Sequence, residues 1–140
     1  TRSSHCLNMV RDLDWMFEGI EDQEILGDFG FSGGGAAGFE LDRADVRLGT
    51  PEEVRVVANS ENHTSSFVLV PEEMLTHITN WPGEEEQQKL IRSDIVYFRT
   101  PSGGEVFSTG SITFCGSLPW NDFDNNISRL LENVIRRFLQ

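Results

Sequence analysis

Cysteine is scarce in this sequence: Cys6 and Cys115 are the two in 140 residues. That excludes a disulfide framework and a cysteine-based zinc site, and it makes a reducing, cytoplasmic compartment the expectation. Basic side chains are few as well, 11 Lys and Arg against 23 Asp and Glu, for a net charge of −12. Such a balance speaks against nucleic acid or an anionic membrane as a partner and favours solubility, or contact with a basic surface on a partner. No apolar run approaches a membrane span, and no signal peptide is visible. Nucleophile and metal motifs are missing too. There is no G-x-S-x-G, since Thr109-Gly110-Ser111-Ile112 lacks the second glycine, and no H-x-x-E, H-x-H or acid cluster has ligand spacing. Cys115 lies among apolar residues, which predicts a buried, inert thiol. The chain opens at Thr1 without an initiator methionine, as a processed or excised piece would.

What is present is enough for one folded domain, residues 1–140. Ten phenylalanines and three tryptophans provide the material for a packed interior. The chain is organised around Gly27 to Arg43, G-D-F-G-F-S-G-G-G-A-A-G-F-E-L-D-R, which holds six of the thirteen glycines. So bare a backbone can take positive φ and admit another backbone or a ligand closely, at an entropic cost. It ends in Phe39-Glu40-Leu41-Asp42-Arg43, whose alternation predicts a short half-buried strand with Glu40 and Asp42 on one face. Two readings follow: a surface loop leading into a strand of solvated acids, or a tight loop that brings Glu40 to the floor of a pocket. Gly33, Gly35 and Gly38 match G-x-G-x-x-G literally, but a strand-like sequence follows and no βαβ unit surrounds it, so a dinucleotide site is set aside.

Elsewhere the pattern predicts an α/β domain. Met9 to Phe17 reads as roughly amphipathic, although Trp15 to Ile20 also fits a short strand. Thr50-Pro51-Glu52-Glu53 predicts one turn of helix before a valine-rich strand, Val54 to Asn59. Pro71-Glu72-Glu73 predicts a helix start and Trp81-Pro82-Gly83 its break, with a charged segment after it. Ile95 to Thr100 and Glu105 to Gly110 flank Pro101-Ser102-Gly103-Gly104 as a hairpin, with the second strand expected to run on to Ser111, followed by Ile112 to Ser117. Asp124 to Gln140 predicts an amphipathic helix. Ile127, Leu130, Leu131, Val134, Ile135, Phe138 and Leu139 recur on one stripe, Asp124 or Asn125 can cap it, and Glu132 and Arg136 can pair.

The residues left with chemistry to offer are Glu40 and Asp42, with Asn59, Glu61 and His63 as candidate binding neighbours in the polar loop after the valine strand. Burial beside bare backbone would disfavour the charged form of Glu40, which tunes a carboxylate for proton transfer. The same acid could instead be a strand residue paired with Arg43 or Arg47, and His63 could be an exposed loop histidine.

Three stretches together resemble one family. They are Phe17-Glu18-Gly19-Ile20 leading to Gly33 through Arg43; Leu48-Gly49-Thr50-Pro51; and Gly104 through Ile112 with Asn125-Asn126-Ile127-Ser128-Arg129. The combination resembles the C-terminal part of the large subunit of N,N-dimethylformamidase and its relatives. The resemblance implies a class I glutamine-amidotransferase-like (flavodoxin-like) domain, or part of one, with a mixed sheet and a C-terminal amphipathic helix, but without the amidotransferase cysteine–histidine machinery. It implies that the chain is the C-terminal piece of a longer polypeptide that hydrolyses a small formamide or amide. The iron of that family is held by tyrosine and glutamate side chains expected upstream, so no metal ligand is assigned here and none is expected to bind to this chain alone. Glu40 matches the glutamate of the family's F-E-L-D-R motif and is the catalytic candidate. Expected partners are the remainder of the large subunit, a small subunit and further copies in a homo-oligomer. The competing reading is a non-catalytic scaffold or oligomerisation domain of the same fold.

Overall fold

The β-rich runs around Pro101-Ser102-Gly103-Gly104 form the hairpin that their sequence predicts. The computed structural model describes residues 11–22, 24–64, 66–70 and 89–140. The expected helix start at Pro71, the break at Trp81-Pro82-Gly83 and nearly all of the charged segment after it lie outside the described residues. Strand β1 covers Arg55–Asn59, β2 Asp94–Arg99 and β3 Glu105–Ser108, in the order β1-β2-β3. The hairpin turn is closed by Thr100 N–H donating to the Gly104 carbonyl at 2.7 Å, with Gly103 at φ +88°. Val96 faces Ser108 across β2–β3 and Val56 across β1–β2, where a bulge after Val56 shifts the register.

Both pairings are antiparallel, so the expected mixed sheet is not what the described residues form. A parallel pair needs a crossover of about a dozen residues or more, and the five residues between Arg99 and Glu105 allow only an antiparallel hairpin for β2 and β3. What stands is a small α/β arrangement of a three-stranded antiparallel sheet and a C-terminal helix. The expected continuation of the second strand to Ser111 is also corrected. β3 stops at Ser108, Gly110 turns the chain at φ +67°, and Phe114–Ser117 is a single helical turn, α1. A Cβ at Gly110 would collide with the Asp94 carbonyl oxygen, so the turn lies hard against the start of β2.

Helix α2, Asn126–Phe138, begins where Asn125 accepts the Ser128 amide at 2.9 Å. Ile127, Leu130 and Val134 are buried from its stripe, whereas Phe138 and Leu139 are exposed, so the buried face is shorter than the apolar pattern. These side chains join Met16, Val57, Ala58, Ile95, Tyr97 and Phe114 in one core. Each fully buried aliphatic side chain there stabilises by about 1.5–3 kcal/mol. Arg11–Phe17 is a 3-10 helix, not a strand, and it covers the core edge. Asn133 of α2 fixes its end by donating to the carbonyls of Met16 and Glu18. Trp15 meets Tyr97 edge to face, with Arg137 over the indole ring.

Candidate functional site

The glycine-rich stretch is clamped to the C-terminal half of the chain. Asn126 Oδ1 accepts the Gly27 amide at 3.0 Å, and Ala36 N–H returns to the Gly27 carbonyl at 2.8 Å. A Cβ at Gly27 would stand 2.5 Å from Ala36 Cβ and 2.8 Å from Ile127 Cγ1, so the backbone must be bare for the loop to seat on α2. Further along, Ser117 Oγ donates to the Phe29 carbonyl at 2.6 Å and Phe31 N–H to the Gly116 carbonyl at 3.0 Å. Much of the glycine content thus serves close packing of backbone on backbone.

The loop returns through Phe39 to Asp42, and here the expected strand is absent. Leu41 forms one isolated bridge with Ser111. Ser111 Oγ donates to the Phe39 carbonyl at 2.8 Å, Asp42 N–H donates to the Gly110 carbonyl, and Asp94 N–H to the Asp42 carbonyl. Glu40 is caught between these anchored neighbours in a left-handed conformation, φ +50°. A non-glycine residue in that region costs energy and persists when its surroundings impose it. Its side chain is exposed, and among the described residues it accepts no hydrogen bond and makes no ion pair. The burial invoked for tuning this carboxylate is therefore not supplied by the chain itself.

The arginines expected to pair with Glu40 or Asp42 go elsewhere. Asp45 takes both, Arg43 at 3.0 Å and Arg47 at 2.8 Å. Arg47, with Arg43, holds the Asp45 carboxyl well below the usual carboxylate range despite partial burial. Next to it, Arg92 pairs with Asp94 at 3.0 Å while Asp94 Oδ2 accepts the Ala44 amide at 2.8 Å. This lattice fixes the exit of the loop against β2. Asp94, Ser111 and Asn126 escaped the sequence reading because each acts through a partner far along the chain, and only the S-I and N-N dipeptides within the family-like stretches pointed near two of them. Asp45 acts through Arg43 and Arg47, two residues away on either side.

Asn59 ends β1 and Glu61 and His63 follow it, but the sheet is antiparallel, so the rule that places ligands beyond parallel strand ends does not apply to them. Asn59 Nδ2 donates to Glu61 Oε1 at 3.1 Å. The Ser60 hydroxyl shares a 2.6 Å hydrogen bond with His63 Nε2 and accepts the Ser93 amide. His63 is half-buried against Phe67, its Nδ1 is buried without a hydrogen-bond partner, and burial pushes its pKa down. Asn59 pairs with Asp94 across the sheet, and the amide of Asp94 donates to Asp42. The two candidate groups are thus both tied to the first residue of β2, but no hydrogen bond joins Glu40 to Asn59, Glu61 or His63. Cys115, expected to be buried, is exposed on α1. Its neighbour Phe114 takes the core position instead.

No group of three His, Cys, Asp or Glu among the described residues could hold a metal ion. Tyr97, the one tyrosine, is buried in the core. The side chains described do not fit the tyrosine–glutamate iron set that the resemblance implies.

Sheet, helix and clamped glycine loop define a small α/β domain in which Glu40 is left-handed in backbone and exposed. Residues 3–127 match the family described as "N,N-dimethylformamidase beta subunit-like, C-terminal". The chain belongs to that family. It is similar to the N,N-dimethylformamidase beta subunit of Alcaligenes sp and to that of Paracoccus aminophilus, 42% identical to each over 126 residues. The match covers 90% of this chain and 16% of each relative's length.

Proposed function

We propose that this chain serves as the C-terminal domain of a dimethylformamidase-like amidohydrolase large subunit and contributes Glu40 to hydrolysis of a small formamide or amide. The observation that carries the reading is Glu40 itself: a carboxylate in a family-like motif, held in a left-handed conformation by anchored neighbours and left without a partner. Its role is to accept a proton from the attacking water, or to orient that water, as the oxygen adds to the amide carbon and the amine leaves. Iron, the metal of this reading, is held by residues outside the chain. In the same reading the protein is cytoplasmic, works with a small subunit and assembles into a homo-oligomer. The parent's glutamine-amidotransferase-like layout is proposed on the strand end Phe107-Ser108-Thr109-Gly110-Ser111-Ile112 leading toward the Asn126-Ile127-Ser128-Arg129 helix start.

Glu40→Gln in the full-length polypeptide preserves shape and the left-handed backbone while removing the base. A fall in kcat of about 10²–10⁴ is expected, with the melting temperature little changed. Asp42→Asn is the control, because that side chain is exposed and its backbone carries the packing. Near-normal turnover of Glu40→Gln would transfer the assignment to the second reading, a scaffold or oligomerisation domain. That reading is favoured by one observation, the exposure of Glu40 in the described structure.

A further inference from the structure

The glycine loop and the α1 region carry large apolar side chains that the domain does not cover. Phe31 is 71% exposed, Phe39 62%, Ile112 58% and Phe123 64%. Phe31 lies 5.4 Å from the Trp120 ring and Phe29 stacks on the same ring, while Ile112 N–H donates to the Phe39 carbonyl. Helix α1 links the two pairs, Cys115 N–H donating to the Ile112 carbonyl and the Gly116 carbonyl accepting from Phe31 N–H. Cys115, exposed on α1, lies between Ile112 and Trp120 along the chain. The loop beyond Trp120 is built to present its side chains. Asn121, Asp122 and Phe123 have φ of +50°, +53° and +67°, three left-handed residues in succession and none of them glycine. Asn125 holds this turn by donating to the Leu118 and Trp120 carbonyls, and Asn121 Nδ2 donates to the Asp124 carbonyl. Exposed aromatic clusters of this kind mark protein interfaces.

The charges around this surface select the occupant. Asp28, Glu40, Asp122 and Asp124 are exposed beside its aromatic residues in sequence, and the chain carries a net charge of −12. A second copy meeting the same face would bring like charges together. A partner with an apolar groove edged by Lys and Arg fits. In the relatives, the region matching this chain is 16% of the length, so most of the polypeptide lies beyond it. We propose that the Phe31–Phe39–Ile112–Trp120–Phe123 face docks into such a groove on the remainder of the same large-subunit polypeptide. This rests on the proposed placement of the chain within a longer subunit. Docking there also encloses Glu40, next to Phe39, and provides the desolvation that the isolated domain lacks.

The test uses the full-length natural polypeptide. Cys115 is alkylated with iodoacetamide, and Phe31 and Trp120 are oxidised by hydroxyl radicals, each read by peptide mass in native protein and in guanidinium. Native modification slower on the order of tenfold or more is expected for side chains at a desolvated interface core. A photo-crosslinker at the exposed Phe123 position (Phe123→p-benzoylphenylalanine) then identifies the occupant. Crosslinks to residues of the same polypeptide outside this segment support the proposal. Modification at rates near those of the unfolded protein overturns it, as do crosslinks to a second copy or to another chain. A natural polypeptide no longer than these 140 residues also overturns it, and its mass shows this directly. None of these readouts uses turnover, so loss of the catalytic reading for Glu40 leaves them unchanged.

Discussion

Asn126 Oδ1 accepts the amide hydrogen of Gly27 at 3.0 Å, across 99 residues of chain. The same side chain donates to Glu24 Oε1 at 2.7 Å and to the Ile25 carbonyl at 3.0 Å. One amide at the first turn of α2 thus holds the entrance of the glycine loop. Asn126→Ala leaves the buried Gly27 amide without an acceptor, at a cost of about 1–3 kcal/mol. A urea midpoint unchanged from the parent chain would mean that the loop does not depend on this clamp.

Gly27 and Gly34 separate two uses of glycine. Both have positive φ, +61° and +76°, but a Cβ at Gly34 would meet nothing within 4 Å. Gly34→Ala is expected to cost about 1–2 kcal/mol, the left-handed penalty alone. Gly27→Ala adds overpacking against Ala36 and Ile127, typically about 1–3 kcal/mol more. Thermal melts of the two variants should therefore differ clearly, with Gly27→Ala the lower. Equal melting temperatures would show that the loop does not pack against α2 as described.

The Arg43–Asp45 pair is buried, with side chains 7% and 8% exposed. Asp45→Asn leaves the Arg43 guanidinium without the Asp45 carboxylate and is expected to cost about 3–5 kcal/mol at neutral pH. The folded state depresses this carboxyl below its ordinary value of 3.8. Its contribution is present above that pH and is lost as pH falls below it, because the unfolded chain takes the proton first. The stability gap between parent and variant should narrow in acid. Melting curves at pH 7 and pH 3 test this, and a gap that widens in acid would contradict the sign.

His63 works in the same direction at higher pH. Burial holds its pKa below the ordinary 6.5, so the folded protein resists the proton that the unfolded chain accepts. Stability contributed by neutral His63 is lost as pH falls from 6.5 toward the folded pKa. In His63→Gln, the decline in melting temperature between pH 7 and pH 5.5 should be shallower than in the parent. An identical pH slope in the two proteins would remove His63 as the titrating group.

The C-terminal helix, the Glu132–Arg136 pair at 2.6 Å and the β2–β3 hairpin were determined by sequence alone, and the helix cap was narrowed to Asp124 or Asn125, of which the structure uses Asn125. Each rests on neighbours a few residues apart, where periodicity and turn chemistry act locally. The prominence of the glycine loop and of Glu40 was legible for the same reason. Only the tertiary structure decided how they are used. Ser111 and Gly110 hold Phe39 to Asp42 out of a regular strand, Asp45 draws away the arginines, and Asn126 and Ile127 require a bare backbone at Gly27. It also exposed Cys115 and Phe138, which the apolar pattern had placed inside, because the core closes on Phe114 and Val134. Apart from the local pairing of Asp45 with Arg43 and Arg47, these outcomes depend on partners tens of residues away. A side chain's fate there is set by which surface reaches it first, and no local pattern encodes that.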